Sequence, residues 1–160
     1  MRRMVLAAFC LTPIAMCSLF AQQPELELRP EVRADLIVGH QPAAQLGVGV
    51  QVPAGPYVRI GVVAAGGVRL DDVRPRGDAR VDLLGRFLLD PYRQSPVGLS
   101  VGGGISVRAE PGDRARPFLL VAAELEGRPG AGGWSPAVQL GLAGGLRVGA
   151  VLRRGAGRAR

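Results

Sequence analysis

The chain of 160 residues has no lysine, no asparagine, two cysteines, one histidine and only 4% aromatic residues. Both cysteines, Cys10 and Cys17, lie near the N-terminus in a segment that we expect to be removed. For the rest of the chain, disulfide stapling, thiol catalysis and thiolate metal sites are therefore excluded. Hydrophobic residues still make up 48% of the sequence, which is typical of a folded domain and not of a disordered one.

The N-terminal segment has the layout of a secretory signal peptide. Arg2 and Arg3 precede an apolar stretch over residues 4–20, and the small Ala21 is followed by the polar residues 22–24. A basic start, an apolar centre and a small cleavage-site residue are the parts of such a signal. An apolar stretch of about 17 residues is also short for a membrane-spanning helix. We therefore predict cleavage after Ala21.

The positive charge is concentrated at the two ends of the chain. The formal net charge is +7, but Arg2 and Arg3 belong to the N-terminal segment and four of the last eight residues are arginines. Between residues 22 and 152 there are 14 arginines and 13 acidic residues. Because this body of the chain is almost neutral, a basic surface for nucleic acid is not predicted.

What the chain does have is alternation with a period of two, and no sustained helical spacing. All the ionisable residues in the alternating runs, nine arginines and eight carboxylates, fall on the parity opposite to the apolar residues. Because side chains alternate between the two faces of a strand, each run predicts a strand with one wholly apolar face. The runs cover residues 25–38, 45–52, 58–70, 80–90, 97–108, 119–126 and 138–153.

The number of strands depends on two glycine pairs. The last run would span roughly 53 Å as one strand, and residues 143–145, Ala-Gly-Gly, offer a hairpin that divides it. The count then becomes eight. A similar Ala-Gly-Gly at residues 65–67 leaves seven or nine strands open.

Alternation fits two environments. A soluble periplasmic barrel or sandwich would turn the apolar face inward and could bind an apolar ligand. However, most runs have 10–14 residues, which is longer than usual globular strands and long enough for tilted strands that cross a bilayer. The charged face is also rich in glycine and almost balanced in charge, as a narrow barrel interior requires. These features favour an all-β, antiparallel up-and-down transmembrane β-barrel of about eight strands.

On these features the chain resembles the small outer-membrane β-barrel proteins of diderm bacteria, the OmpA-like and OmpX-like barrels. The resemblance covers roughly residues 25–153 and rests on the signal peptide, the strand number and the alternation. It implies an outer-membrane location and a structural or surface-interaction role. Members of this class commonly end in an aromatic residue on the last strand, whereas here Leu152 is followed by Arg153 and Arg154, which leaves the insertion route open.

The chain thus divides into a signal peptide over residues 1–21, a β-barrel domain over residues 22–153 and a basic disordered tail over residues 154–160. The expected partner of the barrel is outer-membrane lipid. The arginines of the tail are candidates for contact with anionic headgroups or cell-wall polymer.

The candidate site is a network of charged side chains inside the barrel. We expect these charges to pair and to close the lumen, because eight strands leave just enough width for side chains. A small-solute channel with a charged constriction is the alternative. The predicted lumen residues are Arg59, Arg69, Arg80, Asp82, Arg86, Arg108, Glu124, Glu126 and Arg147.

Three aromatic residues are predicted to lie at one rim of the barrel. Tyr57, Tyr92 and Trp134 lie in or beside the second, fourth and sixth connections, which share one end of an eight-stranded barrel. Tyr and Trp are enriched at membrane interfaces because the ring is half buried while the polar atom stays wet. We expect these residues to form an interfacial belt.

Catalysis and cofactor binding are not predicted. His40, the one histidine, falls in the first connection, at the rim opposite to Ser95 and Ser135, so no serine–histidine pair is expected. Asp71, Asp72 and Asp78 could at most hold a hard cation, and two arginines in the same segment disfavour it. No metal site and no cofactor are therefore assigned.

Overall fold

The computed structural model describes residues 28–39, 41–70, 74–92 and 94–155. These residues form eight antiparallel strands, each paired with the next along the chain, and β8 pairs with β1 to close the barrel. The predicted all-β up-and-down barrel is confirmed. None of the described residues forms a helix long and apolar enough to cross a membrane. The strands are β1 Arg29–Val38, β2 Ala43–Pro53, β3 Val58–Leu70, β4 Pro75–Leu88, β5 Gly98–Ala109, β6 Arg116–Glu126, β7 Trp134–Leu142 and β8 Leu146–Arg154.

The two Ala-Gly-Gly segments behave differently. Residues 143–145 form the turn between β7 and β8, and Gly144 has a φ of +67°, in the left-handed region that glycine adopts without strain. Residues 65–67 instead lie inside β3 and keep continuous pairing with β2 and β4. The strand count is therefore eight.

The register of the strands sets the tilt of the barrel. Directly opposite residues, followed from Arg59 once around the barrel, return to β3 at Arg69, ten residues further along the same strand. This stagger accompanies the tilt that a closed sheet requires. It also brings residues from distant parts of the sequence to the same height in the lumen.

Closure depends on glycines at two points of close strand approach. A Cβ added to Gly67 would lie 1.9 Å from the carbonyl oxygen of Ala44, and one added to Gly104 would lie 1.9 Å from that of Leu83. No other residue fits so close to a neighbouring backbone. Both glycines are on the inward parity, where they let the sheet curve sharply.

The wall of the barrel is inverted relative to a soluble protein. Outward-facing residues such as Leu46 and Leu119 are 72% and 76% exposed, whereas Arg147 and Arg153 on the inward face are each 1% exposed. Among the strand residues that the structure describes, Arg154 is the one charged side chain on the outward parity.

Both ends of the barrel carry short connections. The end where β1 begins and β8 ends, here called the terminal rim, has the connections 54–57, 89–97 and 127–133. The opposite end, the distal rim, has the connections 39–42, 71–74, 110–115 and 143–145. The longest connection is held by Asp90, whose carboxylate accepts hydrogen bonds from the backbone N–H groups of Gln94 and Ser95 at 3.0 and 2.7 Å.

Gly104→Ala should lower the free energy of unfolding by about 1–3 kcal/mol, because the new methyl group forces β4 and β5 apart. The matched control is Gly103→Ala, whose Cβ would point outward and lie 3.6 Å from its nearest neighbour, the carbonyl oxygen of Leu120. It should change stability by no more than about 0.5 kcal/mol. The free energies of unfolding of both variants are measured by urea titration in a mild detergent, with tryptophan fluorescence as the signal. Equal effects of the two substitutions would contradict the tight approach at Gly104.

The charged lumen as candidate functional site

The fully buried part of the barrel interior holds equal numbers of opposite charges. Six arginines and six carboxylates are buried among the described residues, together with three glutamines and three serines. Because a buried charge without a partner is strongly unfavourable, this balance is the condition for closing such an interior. The buried charged residues are Glu31, Arg33, Asp35, Asp78, Arg80, Asp82, Arg86, Arg108, Glu124, Glu126, Arg147 and Arg153.

Arg153 on β8 is the centre of a terminal cluster near the terminal rim. Its guanidinium donates to the Glu31 carboxylate on β1 at 2.9 Å and, past β7, to Glu124 and Glu126 on β6 at 2.8 and 2.9 Å. Charge-assisted bonds of this kind are the stronger class of hydrogen bond. Arg153 therefore links the closing strand pair to β6, which shares no backbone hydrogen bonds with β8 or β1.

Two more arginines complete the terminal cluster. Arg59 and Arg86 lie directly opposite each other on β3 and β4, so their like charges need carboxylates nearby. Arg59 Nη1 lies 3.0 Å from Glu126 Oε2, and Arg86 Nη2 lies 3.3 Å from Glu124 Oε2. Three carboxylates thus face three arginines in this part of the lumen.

A middle cluster is built on two aspartates. Arg33 donates from Nε and Nη2 to the two oxygens of Asp35 at 2.8 and 2.9 Å, which is the bidentate geometry suited to guanidinium and carboxylate. Asp35 also accepts a hydrogen bond from Arg80. Arg80 Nε lies 3.2 Å from Asp82, which accepts a further bond from Arg147 at 2.8 Å.

The terminal and middle clusters are connected through Gln139. Its side-chain oxygen accepts a hydrogen bond from Arg33, and its amide nitrogen lies 3.4 Å from Glu124. Arg33 Nη1 also lies 3.6 Å from Glu31. The ionic contacts therefore continue from one cluster into the next.

A distal cluster lies toward the distal rim. Asp78 contacts Arg108 at 3.0 Å and accepts a hydrogen bond from Gln45 at 2.7 Å. Nearby, Arg69 pairs with Glu110, and both of these side chains are partly exposed. Charges are thus paired along the whole height of the lumen.

Small residues make room for these long side chains. A Cβ on Gly149 would lie 2.3 Å from Asp35 Oδ1, and one on Gly102 would lie 3.1 Å from Arg86 Cγ. Gly102 belongs to β5, where residues 102–104 pair regularly with β4 and β6. The three consecutive glycines therefore serve packing and strand curvature.

Little room is left at the terminal mouth of the lumen. A cavity of about 10 Å³ lies beside Arg59, Ser100 and Glu126, which is close to the smallest space that holds one water molecule.

The structure brings most of the predicted lumen residues together. Arg59 contacts Glu126, Arg86 contacts Glu124, and Asp82 contacts both Arg80 and Arg147. The remaining two predicted residues, Arg69 and Arg108, pair with Glu110 and Asp78, which lie outside the predicted set.

The predicted set omits several central members of the network. Glu31, Arg33 and Asp35 follow the same alternation on β1, so the pattern itself contained them. Asp78 lies two residues before the fourth run, which covers residues 80–90, and is therefore outside the predicted set. Arg153 ends the last run and belongs to neither the predicted lumen set nor the predicted tail. In the structure it has more side-chain hydrogen bonds than the other residues of the network.

The aromatic residues lie at the terminal rim in two separate places. Tyr57 stacks on Phe87 with ring centroids 5.8 Å apart, and Tyr92 meets Tyr57 edge-on at 6.3 Å. A hydrogen bond with Tyr92 raises the pKa of the Tyr57 phenol. Trp134 begins β7, where it lies directly opposite Arg154 on β8.

Of the other residues considered from the sequence, several lie outside the described part of the chain. His40, Asp71 and Asp72 lie outside the described residues, as do residues 1–21 and 156–160. Ser135 faces the lumen, whereas Ser95 lies in an exposed connection. In the described part of the chain, no group of three or more His, Cys, Asp or Glu residues is placed to hold a metal ion.

Comparison with known proteins supports the fold. No family model matches the chain, and no curated protein matches it in sequence. The N-terminal β-barrel domain of OprF from Pseudomonas aeruginosa is similar in structure, with a TM-score of 0.53 and 12% identity over 78% of this chain and 96% of that chain. The fold is that of the small outer-membrane barrels. The resemblance to the OmpA-like and OmpX-like class is thus confirmed at the level of architecture.

Two further solved structures align with this chain. The de novo designed TMB2.3 aligns with a TM-score of 0.50 and 14% identity, over 83% of this chain and 96% of that one. Ail, the attachment invasion locus protein of Yersinia pestis, aligns with a TM-score of 0.42 and 12% identity, over 79% of this chain and 92% of that one. At 12% and 14% identity, the likeness to the OprF domain and to TMB2.3 extends to the fold alone.

Arg153→Met should lower the free energy of unfolding by about 3–5 kcal/mol, because it leaves buried carboxylates without their main partner. Arg128→Met, at an exposed arginine of the same rim, is the control and should change stability by no more than about 0.5 kcal/mol. Adding Glu124→Gln to Arg153→Met removes one uncompensated charge and should recover part of the loss. Urea titration measures all three, and an Arg153→Met barrel as stable as the control would refute the central role of Arg153.

Proposed function

We propose that this protein is a secreted outer-membrane β-barrel with a structural role, whose lumen is closed by arginine–carboxylate pairs. The observation that carries the proposal is the inverted distribution of residues: an apolar outer wall around a charged, buried interior. An exposed apolar surface that surrounds the whole molecule is far larger than soluble monomers present. Hydrocarbon chains of a bilayer would cover it.

The soluble alternative, a periplasmic barrel that binds an apolar ligand, is disfavoured by the same distribution. Such a barrel needs an apolar interior, whereas this lumen contains twelve buried charged residues. An apolar ligand placed there would separate ion pairs such as Arg33–Asp35 without replacing their contacts.

Within the proposed class, the short connections favour a structural role over a surface-interaction role. Outer-membrane barrels that act at the cell surface do so through loops, and such loops are usually the longer ones. The connections at the distal rim have only three to six residues. With the termini in the periplasm, little of this chain would extend beyond the outer leaflet.

The partners in this proposal are outer-membrane lipids, and for the arginine-rich C-terminal residues, anionic headgroups or cell-wall polymer. We assign no catalytic activity and no cofactor. The distribution of charge along the barrel also gives no basis for nucleic-acid binding.

Membrane insertion is tested directly by flotation and by gel mobility. The protein is diluted from urea into a suspension of preformed phospholipid vesicles. It should then float with the vesicles in a density gradient and resist extraction by alkaline carbonate. On unboiled gels it should migrate differently from the boiled, unfolded form, as closed barrels do. Recovery of the folded protein in buffer without detergent or lipid would refute the proposal.

The small-solute channel is the second candidate, because charged lumens also occur in selective pores. The continuous ion pairs and the narrow terminal mouth predict that the wild-type protein gives no conductance steps in a planar bilayer. Arg147→Ala serves as a probe of the alternative. If the wild-type protein gives reproducible conductance steps, and the ion selectivity of these steps changes in Arg147→Ala, the lumen is a channel and is not closed.

A further inference from the structure

An apolar groove on the outer wall crosses the seam between β8 and β1, and its lining extends to β6 and β7 on one side and to β2 and β3 on the other. Ala34 and Ala150 lie directly opposite each other on these strands and form its floor, because their side chains are small. One section of the groove has a volume of about 640 Å³. A second section of about 530 Å³ continues it and shares Ala34, Leu46 and Ala150 with the first. Both sections are open on their outer side.

At its end nearest the terminal rim, the groove stops two residues short of a positively charged side chain. The lining residues at this end include Pro136 on β7 and Leu152 on β8. The next outward-facing positions on these two strands are Trp134 and Arg154, roughly 7 Å further along. They lie directly opposite each other, and Arg154 is exposed.

We propose that the groove and Arg154 together bind an anionic phospholipid, which deepens the proposed function and rests on it. An acyl chain would lie in the groove, and the phosphate would accept hydrogen bonds from the Arg154 guanidinium. Trp134 would lie beside the headgroup, at the depth that indole rings prefer. The lipid would belong to the leaflet at the terminal rim.

The charge of Arg154 favours an anionic lipid over a second copy of the barrel as the occupant of the groove. Arg154 is the one charge on the outward parity of the described strands, and no carboxylate shares that parity. A second barrel packed wall to wall would therefore offer Arg154 no counter-charge from the strands. An anionic headgroup supplies one, and basic residues near a membrane surface attract anionic lipid.

Trp134 makes the site measurable, because it is the one tryptophan of the sequence. The protein is inserted into phosphatidylcholine vesicles that contain a small fraction of brominated phosphatidylglycerol or, separately, brominated phosphatidylcholine. Bromine atoms on the acyl chains quench tryptophan fluorescence at short range. We expect phosphatidylglycerol to bind beside Trp134 about fivefold more tightly than phosphatidylcholine, and Arg154→Gln to remove this preference.

Three variants separate the headgroup contact from other effects. Arg154→Lys keeps the charge and should keep the preference. Ala150→Phe fills the floor of the groove and should reduce quenching by the anionic lipid while the barrel remains inserted. Arg74→Gln, at an exposed arginine of the distal rim, should leave the preference unchanged.

The outcomes distinguish this inference from the proposed function. Equal quenching by the two brominated lipids, or a preference that survives Arg154→Gln, would overturn the lipid site while leaving the membrane barrel intact. If the inserted barrel self-associates and quenching is lost as a result, the groove is an interface with a second copy, and the lipid site is overturned as well. Flotation of the same vesicles measures insertion separately: an inserted barrel that neither brominated lipid quenches would overturn the lipid site, and a protein that does not float would contradict the proposed function itself.

Discussion

A charged side chain removed from water needs an opposite charge within reach, and this requirement governs the whole barrel. The lumen meets it with six arginines and six carboxylates. Many of the pairs join strands that share no backbone hydrogen bonds: Arg153 reaches from β8 to β6, and Arg147 reaches from β8 to Asp82 on β4. The network therefore cross-links the walls as well as neutralising the charges.

The outer wall follows from the same alternation. Side chains of a strand point to its two faces in turn, so placing the charges of the strands inside, with the exception of Arg154, places the apolar residues outside. The barrel is also narrow, and glycines such as Gly149 and Gly67 remove side chains where guanidinium groups or a neighbouring backbone need the space. An ionic core, a curved sheet and an apolar surface are thus consequences of one sequence pattern.

The same pattern explains how far prediction from the sequence could go. Parity alone identifies the strands and their faces, and the turn at residues 143–145 follows from the length that the last strand would otherwise have. Pairing within the lumen does not follow, because the contact between Arg153 and Glu124 depends on a register and stagger that alternation leaves undetermined. Parity also cannot tell whether Gly67 ends a strand at a turn or lies inside a strand where the neighbouring backbone comes close. The structure shows the second.

The most direct test of the central claim is the environment of the outer wall in a membrane. Spin labels are attached through Val48→Cys, Leu83→Cys or Val101→Cys, each in a Cys10→Ser, Cys17→Ser background, after insertion into vesicles. If the outer wall faces hydrocarbon, all three labels should be relaxed efficiently by dissolved oxygen and poorly by a water-soluble nickel complex. Labels at these positions that respond mainly to the nickel complex would contradict the account.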